Sequence, residues 1–331
     1  MQYPVMYAVG TVLTFIITVL AERKLIPVLA SKKMGQKILE IGPRWHKNKE
    51  GTPTMGGLAF IAASCVTGAA MCVYIGVMRG AAAAAPLIMT LAMALASGLI
   101  GMIDDRAKLR KKRNEGLTAP QKFLLQLVLS GLYLLGMRLI GAINTSMRIP
   151  FTDIHLELGI FYYIIALLLL CGVMNSVNLT DGIDGLASSV TSVVALFFGA
   201  AAFFTGKTDP SLAAVSALML GSCTGFLVYN AYPARVFMGD TGSLFLGGLV
   251  VGAAFLADNP LIVIICGLVY ICETASDILQ VGYFKLTHGK RLFKMAPIHH
   301  HFEQCGWSER KIVAVFTVAT VLFCAAAWFG L

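Results

Sequence analysis

Residues 158–185 read LGIFYYIIALLLLCGVMNSVNLTDGIDG, and the fold follows from how this stretch is read. From 158 to 176 it carries no charge. That is enough helix to cross a hydrocarbon core of about 30 Å, which takes about 20 apolar residues. Amides and carboxylates then recur at every third position, at Asn175, Asn178, Asp181 and Asp184, and Gly182 and Gly185 each follow an aspartate. Glycine there permits a turn or a positive φ. The expectation is a membrane span followed by a short polar re-entry suited to reading a nucleotide or sugar through many hydrogen bonds. Ordinary Asp–Gly turns and helix caps are the alternative.

The rest of the chain repeats the pattern. Of its residues 57% are hydrophobic and only 13% charged, and the mean hydropathy is +0.78, so most of the chain must be solvated by lipid or by itself. Ten apolar spans are expected, at 4–22, 55–78, 84–103, 121–141, 158–176, 185–205, 211–230, 241–257, 260–281 and 309–330. Glu273 and Asp277 interrupt the ninth, which is expected to be bent or partly cytoplasmic. The fold class is therefore all-α: a polytopic membrane protein of about ten transmembrane helices, forming one domain over residues 1–331 without internal repeats. The first apolar stretch is followed, not preceded, by Arg23 and Lys24, so it reads as an uncleaved first span. The eight cysteines form no Cys-x-x-Cys pair and read as small apolar packers.

Charge sets the orientation. Lys and Arg in short loops stay on the cytoplasmic side. With both termini outside, every one of the 26 Lys and Arg falls on that side except Arg79, Arg138, Arg148 and Lys207. All 17 acids do so as well, except Asp153, Glu157, Asp209 and Asp258. The whole net charge of +9 thus lies on one face, which attracts anionic lipid head groups and anionic substrates.

Several acids sit at the ends of spans, where ionised groups are costly and usually functional. Asp104 and Lys108 are four apart on a continuing helix and share a face, while Asp105 is turned about 100° away. Adjacent carboxylates leaving a membrane suit a divalent cation or a phosphate–metal complex, with the lysine holding an anion. Asp240, in Phe237-Met-Gly-Asp-Thr-Gly-Ser243, opens a span, where it either caps the helix or holds a metal or phosphate. His299, His300 and His301 lie in a basic loop. Consecutive histidines cannot all face one way on a helix, so donation to phosphate or sugar, or acid–base work, fits them better than zinc. Lys49 and the glycine-rich 51–57 loop are candidates to grip phosphates; a plain turn into the second span is the alternative.

Together these motifs resemble the polyprenyl-phosphate N-acetylhexosamine-1-phosphate transferases. The likeness rests on Asp104-Asp105-x-x-Lys108, the 175–185 stretch, Phe237–Ser243 and Pro297-Ile-His-His-His301-Phe. Gly51-Thr-Pro-Thr-Met-Gly-Gly57 and the triple histidine followed by Phe-Glu are similar to the branch with a UDP-N-acetylmuramoyl-pentapeptide donor. The resemblance implies a bacterial inner-membrane, multi-pass enzyme whose cleft faces the cytoplasm. It implies transfer of phospho-N-acetylmuramoyl-pentapeptide from the UDP donor to undecaprenyl phosphate, giving lipid I and UMP with Mg²⁺. A homodimer in the lipid bilayer is also implied, with no nucleic-acid partner. Asp240 becomes the magnesium ligand and Asp104 the acid closest to the lipid phosphate, with Asp105 beside it. Lys108 and Lys122 match lysines near the phosphates, and His299 a residue needed for activity. Lys49, Thr54, Asn175, Asn178, Asp181, Gly182, Asp184, Asn230, His300 and His301 fall to substrate binding. A sister transferase using UDP-GlcNAc is the nearest alternative. An ion-coupled transporter is the alternative of a different class, but transporters place such groups near the midplane. One-step transfer and a two-step route through an aspartyl-phosphate are both open on the sequence, and the second pKa of a phosphate monoester, about 6, favours the first.

Overall fold

The computed structural model describes residues 2–32, 49, 51–111, 116–205 and 209–331. Lys33, Lys37, Arg44, Lys47, Lys112, Arg113 and Lys207, which entered the charge count, lie outside the described residues, as do Glu40, Glu50 and Glu115. The long helices are α1 (Gln2–Ser31), α2 (Gly57–Arg79), α3 (Ala85–Lys111), α4 (Ala119–Leu139), α5 (Ile160–Thr180), α6 (Leu186–Phe204), α7 (Pro210–Asn230) and α8 (Gly239–Leu256). They are followed by α9 (Ile262–Cys266), α10 (Leu268–Leu286), α11 (Ile298–Gln304) and α12 (Glu309–Trp328). Among the described residues nine helices are long and apolar enough to cross a membrane.

The ninth expected span is broken, in keeping with the bend expected there. Residues 260–281 are not one helix: the chain breaks at Gly267 between α9 and α10, and α10 continues to Leu286. Two acids within an apolar stretch make a continuous lipid-facing helix costly. Glu273 is instead buried against protein. A departure concerns 175–185. It is no re-entry, because α5 runs through Asn175 and Asn178 to Thr180 and only 181–185 turn. Polar residues stay helical there because neighbouring side chains satisfy them. A two-stranded hairpin, β1 (Ser146–Arg148) with β2 (His155–Glu157), joins α4 to α5 and was not expected.

α8 is the axis of the bundle, with every residue from Thr241 to Leu256 buried. Its glycines explain how. Gly242 lies on Gly57 of α2, Gly247 on Met174 of α5, and Gly248 on Ala94 of α3, each too close for a side chain. Where lipid removes the hydrophobic drive between helices, small residues that let backbones approach supply the packing. Hydroxyls within spans are mostly satisfied by the preceding turn, as in Ser97 to the Met93 carbonyl at 2.9 Å and Thr191 to the Ala187 carbonyl at 2.7 Å. Helix starts are capped by Thr118, in a reciprocal box with Gln121 on α4, and by Asp209 on α7 and Ser308 on α12. The consequence for function is that the ends of α3 and α5 and the starts of α4 and α8 meet at one end of the bundle.

Candidate active site

α8 has no cap of its own, since Met238 precedes it and offers no side-chain acceptor. Asp105, from α3, does the capping across the interface. Its Oδ1 accepts from the Asp240 N–H at 3.1 Å, and its Oδ2 accepts from the Thr241 N–H at 2.9 Å and the Thr241 hydroxyl at 2.6 Å. Gly239 follows from this arrangement: its φ is +69° and a Cβ would press on the Asp105 carboxylate at 2.6 Å. With the helix start satisfied from outside, the Asp240 side chain is free of capping duty.

It turns instead to cations. Asp240 Oδ2 lies 2.7 Å from Lys122 Nζ and 3.1 Å from Lys108 Nζ, and Oδ1 accepts from Asn178 Nδ2 at 3.3 Å. Lys122 also donates to Asn178 Oδ1 at 3.1 Å, and Asn178 donates to Ser243 Oγ at 2.7 Å. Asp104 and Lys108 pair at 2.7 Å, one helical turn apart as their spacing predicts, and Asp104 accepts the Leu117 N–H at 2.6 Å. Asn175, one turn below Asn178, is paired with Gln126 of α4 through amide contacts of 2.7 and 3.2 Å. Side chains from α3, α4, α5 and α8 thus form one network.

Asp181 follows directly on α5. Burial first, then the carboxylates of Asp240, Asp105 and Asp184, hold its carboxyl well above the usual carboxylate range. The neutral form is therefore favoured in the fold. The associated stability is full below about pH 4, the ordinary aspartate range, and is lost as pH rises through the raised value. Asp181→Asn is expected to raise the thermal midpoint at neutral pH relative to the parent, with the difference closing towards pH 4. Thermal unfolding in detergent across that range checks this.

The 181–185 turn leads to a second set. Lys49 Nζ lies 2.7 Å from Asp184 Oδ1 and 2.6 Å from Glu309 Oε2 of α12. Asp184 Oδ2 accepts the Ala234 N–H at 2.9 Å, and Glu309 Oε2 accepts the Asp184 N–H at 3.2 Å. Asn230 is buried and bridges the two loops, accepting from Gly185 N–H at 3.1 Å and donating to the Val236 carbonyl at 2.9 Å. The glycine-rich loop is engaged by protein rather than open: Gly56 N–H donates to Phe237 O at 2.9 Å, Gly57 N–H to Met238 O at 3.1 Å, and Phe237 N–H to Pro53 O at 2.8 Å. It aligns the Asp240 loop and brings Thr54, buried, beside Gly239. Of the phosphate-gripping candidates in that loop, the side chain of Lys49 stands at the site.

The three histidines diverge. His299 Nδ1 is 2.9 Å from Glu273 Oε2, His300 Nδ1 is 2.6 Å from Glu303 Oε2, and His301 Nδ1 accepts from the Lys294 N–H at 3.1 Å. The His299 ring lies against Gly182, where a Cβ would overlap it. His301 faces away, with Cys305 Sγ 3.7 Å from its Nε2. Reading the sequence missed Glu273, Glu309, Gln126 and Ser243. Glu273 did leave a signal, an acid in an apolar stretch, and it was read as an interruption. Among the described residues no group of three or more His, Cys, Asp or Glu is arranged to hold a metal ion.

A network of paired basic and acidic side chains thus stands at the ends of helices long and apolar enough to cross a membrane, which defines the class as a polytopic membrane protein with a polar site at one end of its bundle. The family model for glycosyl transferase family 4 matches residues 87–258, and phospho-N-acetylmuramoyl-pentapeptide-transferase signature 1 matches residues 49–61. Curated phospho-N-acetylmuramoyl-pentapeptide-transferases resemble the chain over almost its whole length. That of Clostridium perfringens strain SM101 is 48% identical over 97% of this chain and 95% of its own. Those of Clostridium novyi and Clostridioides difficile strain 630 are 44% and 42% identical, over 97% and 96% of this chain and 96% and 95% of theirs. The chain belongs to the phospho-N-acetylmuramoyl-pentapeptide-transferase family.

Proposed function

We propose that the protein transfers phospho-N-acetylmuramoyl-pentapeptide from its UDP carrier to undecaprenyl phosphate, releasing UMP and leaving lipid I in the membrane. The observation that carries this reading is the convergence of Lys108, Lys122 and Asn178 on Asp240 at the end of four helices. The first barrier to joining two phosphates is their mutual repulsion. Two lysines fixed beside a helix N-terminus offset it, and they stabilise charge on the departing UMP. Their alignment depends on Asp105, which holds the start of α8, and on Asp104, which holds Lys108.

Mg²⁺ fits this donor set as a shared ion. Magnesium is commonly held by one or two carboxylates together with substrate phosphates and water rather than by an all-protein cage. Asp240 would hold it, and when bound it supplies Lewis-acid neutralisation of the diphosphate. We infer direct, one-step transfer. Both Asp105 oxygens are spent on the α8 N-terminus, and Asp104 is paired with Lys108 and the Leu117 N–H, which makes each a poor nucleophile. The lipid phosphate, with a second pKa of about 6, is largely ionised near neutrality and needs little help from a base. The 181–185 turn, Lys49 and the His299–His300 edge form the donor side. The distribution of Lys and Arg supports a cytoplasmic site with both termini outside. The homodimer is carried over from the family resemblance.

Donor choice tests the reading against the sister transferases. Detergent-solubilised protein with undecaprenyl phosphate is expected to release UMP from UDP-N-acetylmuramoyl-pentapeptide and not from UDP-GlcNAc. The reverse preference would move it to the sister group.

A further inference from the structure

We propose that Glu273 is a positioning residue for His299, fixing the ring so that its Nε2 receives a hydrogen bond from an O–H or N–H group of the nucleotide-sugar. The inference rests on the function proposed above and adds a residue that lies in none of the site motifs. Glu273 is on α10 and His299 opens α11; their side chains are 0% and 1% exposed. One carboxylate oxygen of Glu273 faces both His299 Nδ1, at 2.9 Å, and the His299 backbone N–H, at 3.4 Å. A carboxylate only accepts, so Nδ1 carries a ring proton, and in the neutral ring the lone pair is then on Nε2.

That Nε2 is buried with no hydrogen-bond partner among the described residues. It lies over Gly182, and any side chain there would overlap the ring. A histidine buried only for stability would be expected to satisfy both nitrogens, and an orphaned one asks for an explanation. The groups around it are the Glu273 carboxylate from α10, the His300 ring, its centroid 4.1 Å from that of His299, with Glu303 behind it from α11, and Gly182 of the turn. A lone pair beside the Glu273 and Glu303 carboxylates repels phosphate oxygen. A nucleotide-sugar offers the right complement in its hydroxyls and its amide and base N–H groups. Movement of the Asp181–Gly182 turn as donor enters would expose Nε2 to them. The same logic governs histidines oriented by a carboxylate elsewhere, where the amide replacement leaves the geometry but admits the wrong tautomer.

Protein labelled with ¹⁵N-histidine, the His299 signals being identified by their absence in His299→Ala, is expected to show a non-protonated Nε2 that shifts when UDP-N-acetylmuramoyl-pentapeptide is added. Glu273→Gln can donate to Nδ1 and release the tautomer, so kcat/KM for donor is expected to fall about 10- to 100-fold. Glu273→Asp, which keeps the charge, is expected to recover part of it. The Glu273→Gln/His299→Ala double variant is expected to be no worse than His299→Ala, since the carboxylate acts through the ring. A His299 signal unmoved by donor, losses that add, or parental kcat/KM in Glu273→Gln overturns the inference while leaving the function intact if the parent turns over donor. A parent that neither binds nor turns over this donor overturns both together.

Discussion

Asp240→Asn is expected to fold and to lose at least about 10³-fold in activity, the equivalent of the several kcal/mol a metal contributes to charge stabilisation. The fold should survive because neither lysine is stranded. Lys108 keeps Asp104 at 2.7 Å and Lys122 keeps Asn178 at 3.1 Å. The asparagine retains the shape of the side chain but removes the charge on which both ammonium groups and a divalent cation depend. Activity titrated against Mg²⁺ checks the assignment. An unchanged titration midpoint in the variant would take the ligand role away from Asp240, and an intact thermal midpoint separates that result from simple unfolding.

The second large effect is expected far less obviously, from a residue without functional groups. Gly101→Ala places a methyl group into the Asp240 carbonyl and 2.6 Å from the Thr241 nitrogen. These are backbone atoms of the α8 start and cannot rotate away. Overpacking of this kind costs about 1–3 kcal/mol or more. The displacement falls on the residue whose carboxylate the lysines share, and a misplacement near 1 Å costs about 10²-fold in rate. A loss of activity clearly larger than the stability loss predicts, measured by UMP release beside thermal unfolding, is the expected signature. Near-parental activity would mean that α3 and α8 have slack the packing does not suggest.

Much of this was legible before any coordinates, and the boundary is physical. The helical spacing of Asp104 and Lys108 predicts their pairing, because neighbours four apart share a face whatever surrounds them. The division of Asp104 from Asp105 by about 100° is equally local, but the use made of it is not. That Asp105 caps α8 depends on two helices 135 positions apart lying in contact through Gly101, and no local rule reports that. Asp240 was ambiguous between cap and ligand for the same reason. Its freedom from capping is created by a residue on another helix. The 175–185 stretch was read as a polar re-entry because amides and acids at every third position are costly in a continuing span. Held by Gln126, Ser243 and Lys122, however, they are satisfied within a helix. Glu273 shows the converse case. An acid in an apolar run was treated as a defect in a span, whereas its partner, His299, arrives 26 residues later from a separate helix. The glycine-rich loop read as either a phosphate grip or a plain turn, and backbone pairing with 237–238 takes up the Gly56 and Gly57 N–H groups.

The account stands or falls on two phosphates meeting at Asp240. UMP release from UDP-N-acetylmuramoyl-pentapeptide, followed with undecaprenyl phosphate and Mg²⁺ each present or withheld, measures this most directly. UMP is expected only when both are supplied, in step with the lipid-linked product. A stoichiometric burst of UMP and a covalent phospho-sugar enzyme formed without the lipid, or release indifferent to Mg²⁺, would contradict it.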